Sequence, residues 1–178
     1  MENQDKQDLL KRFEDKLDDI EKGVTEIGED KIENKDIESM FLYLVETIEE
    51  ISREKNFDEL LNLSRDNVRR FTARRKGITL FDAFYVNVSE LNSSLKGEKI
   101  IVNTWKKSGS SNIWTFSHVD EDKFKIDSTP RRQFEDIEIG QEVDRDKLMD
   151  IVLTEFVEFI VYTKMAKKEE ELQNRNEQ

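Results

Sequence analysis

Two groups of residues stand out as able to grip an anion or a base, and two more as able to do acid or metal chemistry. The stretch 64–77, SRDNVRRFTARRKG, holds Arg65, Arg69, Arg70, Arg74, Arg75 and Lys76, opposed within it by Asp66. The guanidinium fork matches phosphate and carboxylate in a bidentate way, so the run reads as a contact for an anionic partner. Arg131 and Arg132, after the single proline in STPRRQ, could assist it. The second group is aromatic. In an alternating strand Trp114, Phe116 and His118 share one face, with Trp105 on the strand beside them and Lys107, Lys123 and Lys125 close by. Rings interleaved with lysines can stack bases and neutralise phosphates. The competing and favoured reading makes Trp114 and Phe116 core, because large rings usually supply buried area.

The acid and metal groups are weaker. Asp120, Glu121 and Lys123 have the ingredients of a magnesium-dependent nuclease, in which acids hold the metal and a lysine steadies charge. They fall on an expected turn, where a solvated tip is the simpler account. Asp144 and Asp146 suit the N-cap and first turn of a helix better than a metal site. His118 is the one histidine, the six glycines are scattered, and no nucleophile elbow occurs. The expectation is a chain with no catalytic residue, no bound metal and no cofactor.

Composition narrows the partners. The chain of 178 residues carries a formal net charge of −12. Residues 1–60 hold 20 acidic and 9 basic side chains, whereas residues 61–76 hold 1 and 6. A field of that overall sign disfavours nonspecific contact with nucleic acid or anionic membrane, so any such contact must be local. The basic stretch directly follows the acidic third, and an internal counter-charge is its favoured reading, ahead of nucleic acid and of an acidic protein. Cysteine is absent, which removes disulfides and thiolate chemistry. The charged start MENQDKQDLLKRFEDK has no apolar h-region, and the apolar window 148–165 is broken by Glu155 and Glu158. A cytoplasmic protein that does not enter membranes is expected.

Hydrophobic spacing sets the elements that must position these groups. Leu10, Phe13, Leu17, Ile20, Val24 and Ile27 repeat at 3 and 4, predicting a helix over 4–24. Ile37, Phe41, Leu44, Ile48 and Ile51 do the same over 36–55. The short link between them predicts a helical hairpin. Leu60, Leu61, Val68 and Phe71 predict a third, basic helix over 58–76, closed by Gly77. Beyond it Phe84, Val86 and Val88, then Ile100, Val102 and Thr104, alternate, and NIWTFSHV (112–119) and KFKID (123–127) are β-rich. A segment over 134–143 adds a short strand. A long apolar pattern predicts a helix over 144–172.

The expected fold is therefore α+β: an N-terminal helical hairpin plus a third helix, a small antiparallel meander of three or four strands, and a long C-terminal helix packing on the sheet. Residues 1–56 form the hairpin, a candidate coiled-coil and dimerisation element, and 57–178 the α+β domain. The expected function is a non-enzymatic regulator or adaptor, a homodimer, contacting a protein or nucleic acid through the basic helix. Two rivals are an acidic, phage-type mimic of nucleic acid that occupies a DNA- or RNA-binding enzyme, and the metal-dependent nuclease.

Overall fold

The apolar seam over 36–55 folds as its spacing requires. In the computed structural model, which describes residues 37–67, 69–77, 82–90, 98–109, 111–120, 122–130 and 137–177, helix α1 spans Ile37–Glu54. Ile37, Met40, Phe41, Leu44, Val45, Ile48 and Ile51 are all buried, forming one continuous stripe. Glu46, Glu50 and Glu54 lie on the exposed side. Asn56 turns the chain out of α1 with φ 55, a left-handed conformation that Asn adopts more readily than most residues. A 3-10 turn, Phe57–Glu59, follows and buries Phe57.

Seven strands come next: β1 (Leu61–Asn67), β2 (Arg70–Arg75), β3 (Ala83–Glu90), β4 (Glu98–Trp105), β5 (Ser111–Asp120), β6 (Lys123–Ser128) and β7 (Glu142–Asp144). They form one sheet whose spatial order is the chain order, every neighbouring pair antiparallel. Helix α2, Arg145–Asn176, closes the described chain. Asp144 caps it, its Oδ1 accepting the Lys147 backbone N–H at 2.7 Å. The Arg145 guanidinium sits 4.0 Å from the centre of the Tyr43 ring of α1, a cation–π contact at the start of α2. Among the described residues no helix is long and apolar enough to cross a membrane.

The chain divides into two compact units. One takes in residues 35–152, with α1, the whole sheet and the opening turns of α2; the other includes residues 153–178. In the second, Phe156, Phe159 and Ile160 are buried, and the Thr163 hydroxyl donates to the Phe159 carbonyl at 2.9 Å.

In the first unit the sheet alternates, apart from irregularities in the β1–β2 and β5–β6 pairings. Phe71, Phe84, Val86, Ile100, Val102, Trp114, Phe116, Phe124 and Ile126 lie on one face and are buried. This is the face on which α1 packs, chiefly over β3 and β4. Trp114 and Phe116 stack in parallel, ring centres 6.0 Å apart, and their burial assigns both to the core. Residues between them in sequence point to the opposite, outer face.

The observed architecture corrects the expected one. No helical hairpin is found among the described residues. The predicted helix over 4–24 lies outside them, and α1 leads through a 3-10 turn straight into the sheet. The predicted third helix over 58–76 is the β1–β2 hairpin. The small meander of three or four strands is a meander of seven, extended by β1 and β2 at one edge and by β7 at the other. The difference at the β1–β2 hairpin has a physical reason. Leu61, Leu63, Phe71, Ala73 and Arg75 share the core face at period two, but arginines fill so many positions that the apolar alternation is thin. The strands reverse between Asn67 and Arg70, which pair with each other, and Asp66-Asn67 are residues that favour turns.

Trp114 and Trp105 should behave oppositely on truncation. Trp114 is 1% exposed and Trp105 50%. Trp114→Ala is expected to cost about 3–5 kcal/mol in urea unfolding, and Trp105→Ala to stay within about 0.5 kcal/mol of the parent. Equal losses would show the core to be misassigned.

Candidate binding face

The eight basic residues picked out in the sequence do not act as one surface. Arg65 lies on the core face of β1 and turns to α1, where its Nη2 donates to Glu49 Oε2 at 2.7 Å. Arg69, in the β1–β2 turn, reaches Glu38 of α1 and Glu98 of β4, both at 2.6 Å. Hydrogen bonds to Glu38 first, and then to Glu98, raise its pKa above the ordinary arginine value. These contacts are exposed, and such pairs contribute little to stability while fixing geometry. Arg75 is buried in the row of core residues. Its Nη1 donates to Asp82 Oδ2 at 3.2 Å, with the two side chains 5% and 0% exposed. Asp82 Oδ1 accepts the Lys107 backbone N–H at 2.7 Å. Lys76 is exposed beyond the end of β2. Arg131 and Arg132 lie outside the described residues.

Arg70 and Arg74 differ from the rest. They alternate with Phe71, Ala73 and Arg75 and so stand on the outer face, both exposed. Arg74 approaches the Tyr85 ring, 6.0 Å from its centre.

Register maps that face across the central strands. One row runs Arg74–Ala83–Trp105–Ser111, and the next Thr72–Tyr85–Asn103–Ile113. A third runs Arg70–Asn87–Ile101–Thr115. Trp105 and Ile113 are well exposed for their size, whereas Ala83 and Thr72 are buried between longer neighbours. From β1 to β4 the described side chains of this face include Arg70, Arg74 and Lys99 and no carboxylate. Asp120, the last residue of β5, stands on this face opposite Lys123 of β6. Further acids lie towards β6 and β7, where Asp127 takes Lys99 Nζ at 2.9 Å and Lys125 Nζ at 3.7 Å.

No family model, no curated protein and no solved structure matches this chain. Its chemistry is therefore read from the residues themselves.

Two atoms on the outer face are unusual. The Oδ1 atoms of Asn87 and Asn103 are covered yet have no hydrogen-bond partner. Buried polar atoms are nearly always paired, so such an atom marks a place where a partner is missing. Asn103 lies directly opposite Tyr85, and Asn87 is two residues along β3 from it. None of Tyr85, Asn87, Asn103 and Ile113 was singled out in the sequence. Their signal was the alternation of Phe84, Val86 and Val88, which places 85 and 87 on the face away from the core.

The proposed stacking group also divides. Trp105 is on the outer face, Trp114 and Phe116 are core, and His118 is exposed at the far end of the core face, 5.5 Å from the Phe124 ring. Asp120 and Lys123 pair across the β5–β6 turn, and Glu121 lies outside the described residues. Among the described residues no group of three or more His, Asp or Glu side chains is placed to hold a metal ion.

The buried pair yields a stability test. Arg75→Leu leaves the Asp82 carboxylate buried without its guanidinium and is expected to cost about 3–5 kcal/mol. Adding Asp82→Asn removes that charge and should recover part of the loss in the same urea titration. A single variant as stable as the parent would show that the pair is dispensable.

Proposed function

We propose that this chain is a non-enzymatic binding protein, and that its contact surface is the outer face of the sheet rather than a basic helix. The partner is an anionic macromolecule. The observation that carries this reading is the sorting of charge by the sheet. The acids of α1 lie on one side, where Glu38 and Glu49 engage Arg69 and Arg65. On the other side Arg70 and Arg74 stand with no ion pair among the described residues, and the outer face of the first four strands carries no described carboxylate.

That sorting makes a local cationic field compatible with an acidic chain. A helix is about 10 Å across, and the Debye length at physiological ionic strength is about 8 Å. Charges on the far side of α1 are largely screened at the outer face. Exposed Trp105 and Ile113 add apolar area of the kind that binding surfaces use.

Chromatography on immobilised heparin tests the reading. The parent protein is expected to be retained at low ionic strength despite its charge of −12, and to elute well before 1 M salt, where the Debye length is about 3 Å. Arg70→Glu/Arg74→Glu should flow through with an unchanged circular-dichroism spectrum. Arg65→Glu, on the α1 side, should still be retained. A parent that passes straight through, or an Arg65 variant that fails as completely as the outer-face variant, would overturn the assignment.

A further inference from the structure

We infer that the anion this face accepts is a single strand of nucleic acid, its bases stacked on Trp105 and Tyr85 and its phosphates held by Arg70 and Arg74. The inference rests on the reading of the outer face as a binding surface and specifies its partner.

A polyanion such as an acidic peptide or a sulfated sugar needs only the cations. The outer face offers three further features that those partners do not use. The first is aromatic surface. Trp105 keeps half of its area in water, and Tyr85 is half-buried beside Arg74. Every base has a π-face, so exposed rings bind single strands with little regard to sequence.

The second feature is the relief of the face. Arg74 and Trp105 are register neighbours of Ala83 on either side. Two inter-strand spacings separate their strands, about 10 Å. The side chain between them is the small, fully buried Ala83, and Thr72 is buried beside it in the next row. A planar group can enter above this low floor with an arginine on one flank and an indole on the other.

The third feature is the pair of unsatisfied amide oxygens. Asn87 Oδ1 and Asn103 Oδ1 are covered and have no hydrogen-bond partner, so a donor on a ligand reaches them once these half-buried amides turn outward. A carboxylate or sulfate has none to give. The ring N–H and exocyclic amino groups of nucleobases do, and an asparagine amide presents a donor and an acceptor side by side, as base-edge recognition requires. In a duplex the stacking faces are occupied by neighbouring bases, so the rings of a sheet face engage unpaired strands.

The protein carries its own reporter. It has two tryptophans; Trp114 is buried and Trp105 exposed, so a ligand that stacks on the outer face quenches Trp105. The probes are a short mixed-sequence single strand of RNA, the same strand of DNA, the matching DNA duplex, poly-glutamate and heparin. The expected result is quenching and binding with a single strand, and weaker binding without quenching by the duplex, poly-glutamate and heparin. Trp105→Ala should weaken single-strand binding about five- to a hundred-fold, with Trp105→Phe recovering most of it. Arg70→Ala/Arg74→Ala should lower the slope of log affinity against log salt by about 1.4, about 0.7 for each phosphate contact.

Heparin or poly-glutamate binding with no single-strand binding would overturn this inference and leave the anionic-partner reading standing. Duplex binding as tight as single-strand binding, or no effect of Trp105→Ala in a variant that keeps its circular-dichroism spectrum, would overturn it as well. Absence of binding to every probe would remove both.

Discussion

The carboxylate of Asp82 is the point from which the central sheet is organised. It is buried, and a buried charge must be matched. It is matched from two directions, by the Arg75 guanidinium at the end of β2 and by the Lys107 backbone N–H just past the end of β4. The Arg75 N–H also donates to the Asp82 carbonyl, extending the β2–β3 pairing to its last residue. One side chain thus ties together the ends of three strands. Arg74, Ala83 and Trp105 are the residues immediately inside this tie, and they form one row of the outer face. An ion pair on the core side therefore fixes which groups stand abreast on the water side. A one-residue slip in any of the three strands would exchange the faces and separate Asp82 from its partners, so register and charge pairing enforce one another.

The same alternation divides the arginines by task. Those on the core side or in the turn are consumed internally: Arg65 by Glu49, Arg69 by Glu38 and Glu98, Arg75 by Asp82. They lace the hairpin to α1, to β4 and to the β2–β3 connection. Each exposed pair is weak, but together they tie the β1–β2 hairpin to α1 and β4. Arg70 and Arg74, on the even positions of β2, are excluded from that use because the sheet itself stands between them and the acids of α1.

Much of this was legible in the sequence, and the failures share a cause. The helix Ile37–Glu54 and the strands β3 to β6 follow from spacing, because each has a clean period, and the cap at Asp144 follows from its residue type; β7, Glu142–Asp144, only touches the end of the expected strand over 134–143. The β1–β2 hairpin does not follow from spacing. Arg70 and Arg74 are four residues apart, and residues four apart lie on one face of a helix and also on one face of a strand. Arginine spacing therefore cannot separate the two, and Val68 with Phe71 tips a sparse apolar pattern towards the helix. The split between Trp105 and Trp114 was open for a similar reason. Both sit in alternating strands, and only the pairing register, Val102 with Trp114 and Ala83 with Trp105, says that they face opposite ways.

Net charge says little about any one face of the protein, and the sheet shows why. A total of −12 describes the field far from the protein. Binding is decided within a Debye length of the surface, where only nearby charges count. A layered fold can hold acids and cations on opposite sides of a sheet so that the total cancels nothing locally. The chain is acidic as a whole, yet on the outer face of its first four strands the described charges are all positive. The covered asparagine oxygens sharpen the point. Charge alone would make this a face for any polyanion, whereas two acceptors that lack donors, beside an exposed indole and a tyrosine, favour a partner that brings donors and flat rings along with its phosphates.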